Sequence, residues 1–314
     1  MIHIYCTPPK RSDRDETVLS EIKNECNKTI NIVFTDNKNS PFLTLLHSER
    51  TTDNSPSIIL QQMNKALQYL LAISPSVDTR QFVSVCFKCA PALFPNWLRT
   101  LSLPDPKPSF ACLSMFSLIG FMLKTGPAEC VADSVKFEEG DGKKVYSLLV
   151  ANILPRALTK NMLTKAIQSS NPFMATQTLK LVAAILRRFK KLAKNAFSGD
   201  EKKLEFVAEK LAQRMPDLQV ILAIRSKFEP NADNSEDQQK YQHHSFVTMN
   251  LCMVLQLYAS IFPNAFRTVQ FDWTKLLSNS PKTFLSAPLS LQHRIFDTMS
   301  SIHKCLKVRT PCRR

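Results

Sequence analysis

Residues 172–197 read PFMATQTLKLVAAILRRFKKLAKNAF, and their spacing predicts a helix with an apolar side and a cationic side. At about 100° per residue, Val182, Ile185, Leu186, Phe189, Leu192, Ala193 and Ala196 fall on one side. Lys180, Arg187, Lys191 and Lys194 form a narrow band opposite, flanked by Arg188 and Lys190. Asn171 is the expected N-cap. Pro172 suits the first helical position, where its missing N–H costs nothing. Ser198-Gly199-Asp200 closes the helix. The same pattern fits an ordinary surface helix with solvated lysines, so the basic band is a candidate site and not yet a site.

The rest of the 314-residue chain extends this helical reading. Only 5 glycines occur, too few for the tight turns of sandwiches, barrels and nucleotide-cradling loops. Periodic apolar segments predict helices near 55–73, 78–88, 110–124, 145–168 (bent near Pro155), 201–214, 217–228, 243–262, 266–277 and 290–306. Residues 1–40 read as a loosely ordered leader, with a short helix near 18–28. The segments from 41 to 307 read as one helical-repeat domain, with a hinge or loop near 125–143 and an acidic loop at 229–240. Residues 308–314 form a basic tail. The expected class is all-α, an α-solenoid of armadillo- or HEAT-like repeats.

An internal echo supports the repeat reading. Phe94-Pro95-Asn96-Trp-Leu-Arg-Thr-Leu101 matches Phe262-Pro263-Asn264-Ala-Phe-Arg-Thr-Val269 in five of eight positions. Each copy follows an apolar segment and leads into another, and helix, proline turn, helix is the unit of a solenoid. Phe94 and Phe262 are therefore expected to be buried where one helix hands over to the next.

Charge narrows the partners. The net charge of +15 attracts nucleic acid or an anionic surface. No run of 18 apolar residues is present, so no membrane span is expected. The opening MIHIYCTPPKRSDRDE lacks the apolar core of a secretory signal, and the nine cysteines are expected to stay reduced. Basic clusters at 187–194 and 304–314 have the composition of import signals.

Candidate chemistry is sparse. Cys86-Phe-Lys-Cys89 has zinc-knuckle spacing, but no second pair stands at a suitable distance and both lie in an apolar helical pattern, so they read as core. His243-His244 is expected at a helix start, with the two rings about 100° apart and unsuited to one metal. No GxSxG, HExxH, GxxxxGK[ST] or GxGxxG occurs. No catalytic residue, metal, cofactor or small-molecule substrate is expected. Trp97, Phe110 and Trp273 have the chemistry to stack on unpaired bases, but most such aromatics fit core positions, Phe271-Asp-Trp273 excepted.

Several words of the sequence, in order, carry a resemblance. They are Leu43-Thr-Leu-Leu-His47, Asn161-Met-Leu-Thr-Lys-Ala166, Thr178-Leu-Lys-Leu, Ile185-Leu-Arg-Arg188, Met215-Pro-Asp-Leu218, Val254-Leu-Gln-Leu-Tyr258, the Phe262-Pro turn and Phe271-Asp-Trp-Thr-Lys-Leu-Leu277. Together they resemble the N-terminal region of the nucleolar pre-ribosomal-associated protein 1 family over roughly residues 40–280. The resemblance implies a non-catalytic helical-repeat scaffold of the nucleus and nucleolus. Its expected role is in early large ribosomal subunit assembly and pre-rRNA maturation. It implies pre-rRNA and other large-subunit assembly factors as partners. That family's chains are several times longer, so this sequence reads as a fragment or short form. The family's glycine-rich lead is replaced here by Asn39-Ser-Pro-Phe, and the first 30 residues match nothing in it. On this reading Lys180, Arg187, Arg188, Lys190, Lys191 and Lys194 bind RNA phosphates. The rival expectation is an armadillo-type protein–protein interaction module whose charge serves acidic peptides without RNA.

Overall fold

The computed structural model describes residues 58–73, 76–127, 149–150, 152–197, 201–229, 238–269 and 287–307, with isolated positions at 18–32, 276 and 284–285. Within these the chain is helical, with no strand among the described residues. The hinge expected near 125–143 and the body of the acidic loop lie largely outside them, as do Leu43–His47, Trp273 and the basic tail. Val18, Glu21, Glu25, Lys28 and Ile32, within the expected leader, are helical. None of the described helices is long and apolar enough to cross a membrane.

Two compact units emerge, one built from residues 1–100 and 125–130, the other from 101–124 and 131–314. In the first, α1 (Ile58–Ile73) packs on both α2 (Val77–Cys89) and α3 (Leu93–Thr100). Ser76 caps α2 by accepting the Thr79 N–H. An aromatic cluster fills the interior: Phe87 meets Phe94 edge-on at 5.3 Å between centroids and tilts against Trp97 at 5.4 Å. Gln68 of α1 donates to the Thr100 hydroxyl of α3 at 2.7 Å.

The sequence reading placed Phe94-Pro95 in a turn. The turn is instead Ala90-Pro91-Ala92, and Pro95 lies in the first turn of α3. Proline is tolerated there because the first N–H groups of a helix have no intrahelical acceptor.

The second unit contains α4 (Phe110–Thr125, here to Lys124), α5 (Lys160–Ile167), α6 (Pro172–Ala196), α7 (Glu201–Ala212), α8 (Leu218–Phe228), α9 (Gln238–Ile261), α10 (Pro263–Thr268) and α11 (Leu289–Lys307). The expected single helix over 145–168 is two. A helical segment ends at Ile153, Pro155 follows without an N–H to continue it, and Thr159 starts α5 by accepting the Met162 N–H at 3.2 Å. The helix expected over 266–277 begins earlier, at Pro263, and stops at Thr268.

Helices α6 and α9 form the centre of this unit. They pack on each other; α5 also lies on α6, and α8, α10 and α11 also lie on α9. Asn171 caps α6 as expected, its side-chain oxygen accepting from the Phe173 and Met174 N–H groups. Every residue from Leu181 to Leu186 is buried, including Ala183 and Ala184, whose small side chains let neighbours close on both flanks. Tyr258 of α9 donates its buried hydroxyl to the Pro216 carbonyl at 2.9 Å, fixing the turn before α8.

The two Phe-Pro-Asn copies share local chemistry. Phe94 and Phe262 are both buried, as are Leu98 and Phe266 four residues on. Arg99 donates to the Asn96 side-chain oxygen at 2.8 Å, and Arg267 donates to that of Asn264 at 3.2 Å. Thr100 and Thr268 each turn a hydroxyl back to the carbonyl three residues earlier. The copies differ at their start, because Phe262 is itself the N-cap of α10 and Pro263 takes its first helical position.

Candidate nucleic-acid interface

The close packing of α6 leaves its polar side chains only a narrow outlet. From Lys180 to Lys194 the exposed residues are Lys180, Arg187, Lys190, Lys191 and Lys194, all cations. The basic band is therefore a strip on an otherwise buried helix, and the narrow band read from the spacing of Lys180, Arg187, Lys191 and Lys194 is exposed.

Arg188 does not belong to that strip. It is only 5% exposed, and its guanidinium turns inward. Its Nε donates to the Asn152 carbonyl at 2.6 Å and an Nη donates to the Leu123 carbonyl at 3.2 Å. Both carbonyls lie where backbone would otherwise lack intrahelical partners, at the ends of α4 and of the helical segment before Pro155. Arg188 is a structural clasp, and its place on the flank of the band explains the correction: α4 and the 150s cover that flank.

The opposite flank opens into a groove. Helix α9 forms its floor, and α6 and α11 form its walls; the groove is open to solvent and has a volume of about 680 Å³. Arg187 and Lys190 enter from α6, and Arg294 and Lys304 from α11. Sequence reading missed Arg294 as a partner of the strip, because the two are brought together only by the packing of α6 and α11 on α9.

These cations are held by neutral groups. Arg187 contacts the Met253 thioether at 2.7 Å, Lys190 donates to the Ser260 hydroxyl at 3.0 Å, and Arg294 reaches the Gln256 amide oxygen at 3.4 Å. Among the described residues, no carboxylate forms an ion pair with any of the four. The one carboxylate lining the groove, Asp297, lies 3.1 Å from His293 Nδ1. Four cations line one groove with a single carboxylate among them, and an anion in the groove offsets the excess of positive charge.

Other candidates from the sequence take structural places. Cys86 is fully buried, and burial pushes its thiol up to about 12. His243 and His244 lie inside α9, which starts at Gln238, earlier than expected. The His243 ring stands edge-on to Phe173 at 5.2 Å. His244 is lowered by burial and by the neighbouring Arg225 guanidinium. Trp97 belongs to the aromatic core of the first unit, whereas Phe110, at the start of α4, is 83% exposed.

The chain matches no protein-family model, no curated protein and no solved structure.

Proposed function

We propose that this chain is a non-catalytic scaffold that binds pre-rRNA during early assembly of the large ribosomal subunit, in the nucleolus and beside other assembly factors. The observation that carries the reading is the cationic strip of α6 running into a groove whose four cations lack carboxylate partners among the described residues. Phosphates supply the missing negative charge, and a net charge of +15 adds long-range attraction for them. The resemblance of residues 40–280 to the nucleolar pre-ribosomal-associated protein 1 family supplies the choice of RNA. The helices are further proposed to be armadillo- or HEAT-like repeats. The shared Asn–Arg bond and buried phenylalanine of the two Phe-Pro-Asn copies support this.

Crosslinking in growing cells, followed by purification of the tagged chain and sequencing of the attached RNA, tests the proposal. Precursor large-subunit rRNA is expected. Recovery of assembly factors or other proteins with no RNA above background favours the protein-only interaction module instead.

A further inference from the structure

We infer that the groove between α6, α9 and α11 holds an unpaired nucleotide of bound RNA, so that this surface selects single strands over duplex. The inference rests on the RNA-binding reading above and adds which form of RNA the site takes and where it sits.

Three features of the groove lead there. Its volume, about 680 Å³, lies within the range of clefts that enclose small ligands, roughly 300–1,000 Å³. A surface that only tracks a duplex backbone needs no such recess. Its walls are two helices that share one neighbour, each packed on α9. A recess walled on two sides can meet the bases of an unpaired strand, whereas a duplex keeps its stacked bases inside and offers such a recess mainly its phosphates.

The lining is also mixed in the way a nucleotide requires. Arg187, Lys190, Arg294 and Lys304 supply the positive charge that phosphates need. Met253 and Leu257 offer an apolar floor for a base. The planar guanidiniums of Arg187 and Arg294 provide faces on which a base stacks, as Arg does where aromatics are lacking. Gln256 and Asp297 add an amide and a carboxylate to the lining, the groups that pair with a base edge. The carboxylate matters most here, since a site for phosphate alone has no use for a negative group within it. An exposed cytosine amino group is the donor that such a carboxylate accepts.

Fluorescence polarisation with a labelled mixed-sequence RNA 12-mer, as single strand and annealed to its complement, tests this with the full chain. The parent is expected to bind the single strand at least ten-fold more tightly. Arg294→Gln with Lys304→Gln alters the groove wall, while Lys191→Gln with Lys194→Gln removes the same charge from the strip. The groove pair should lose the single-strand preference; the strip pair should weaken both RNAs equally and keep it. With 4-thiouridine in the single strand, photo-crosslinks should map to the α9 peptide bearing Met253 and Leu257. Equal binding of both RNAs by the parent, equal effects of the two variant pairs, or crosslinks elsewhere overturn the groove inference and leave RNA binding standing. A parent chain that binds neither RNA overturns both. Should the groove pair fail to fold, the crosslink position in the parent decides.

Discussion

Arg188 donates from Nε to the Asn152 carbonyl at 2.6 Å, across 36 residues of chain, and this bond decides how the basic helix is to be read. It separates a cation that holds the fold from neighbours that face solvent. Arg188→Ala leaves two buried carbonyls without that donor, at about 1–3 kcal/mol each. A loss of roughly 3 kcal/mol or more is expected in urea unfolding. The protein that remains folded should bind RNA as the parent does. Arg188→Lys should recover only part of the stability, since an ammonium on a shorter stem does not span both carbonyls.

The buried phenylalanines of the two Phe-Pro-Asn copies make a matched pair of probes. Phe94 packs between Phe87 and Trp97, and Phe262 stands edge-on to Tyr258 at 5.2 Å. Truncation of either to Ala should cost about 3–5 kcal/mol, read from denaturant midpoints. Melting of both variants with the parent would remove the support they give to helical repeats.

Charge reversal on the strip is expected to act the other way. Arg187, Lys191 and Lys194 are exposed, so changing all three to Glu should shift stability only slightly. Affinity for RNA should fall by orders of magnitude, and each lost phosphate contact should reduce the salt slope by roughly 0.7–0.9. Filter binding at several salt concentrations measures both. An unchanged affinity would mark the strip as a merely solvated face.

Two buried thiols give the chain an alkaline limit. Burial pushes Cys86 up to about 12 and Cys252 up to about 11. The unfolded chain ionises these groups near their ordinary value of 9.0 and binds fewer protons above it. The stability they contribute is therefore complete below about pH 9 and is lost as pH rises toward 11 and 12. Unfolding midpoints should decline across that window. At neutral pH, residue-resolved alkylation should modify Cys89 and Cys305, which are part exposed, well before Cys86 and Cys252.

Local signals were legible wherever the physics was local. Asn171-Pro172 announced the start of α6 because capping involves only the next three residues, and the apolar runs announced α2, α8 and α11 to within a residue or two. Helix periodicity also identified which α6 cations would be exposed, with one failure at Arg188. That failure is instructive: a residue on the flank of a helical wheel is assigned to water or core by whichever element lies beside it, and residues 36 and 65 positions away lie beside Arg188. The groove was illegible for the same reason. Arg294 and Arg187 share no sequence neighbourhood, and only their common packing on α9 brings them to one recess.

The strip on α6 has one more consequence, and it follows from Ala183 and Ala184. Because the helix that carries the cations is buried through its middle on every flank, its backbone is already ordered before any ligand arrives. Binding then immobilises only side-chain tips, at about 0.5–1.5 kcal/mol for each long side chain, with no loop to freeze. Helical rise sets Arg187 and Lys194 about 10 Å apart along the axis, a span near three nucleotide steps of a stacked strand. A flexible polyanion must adjust its own path to that spacing. The protein behaves as a fixed die, and the conformational change on association falls to the RNA.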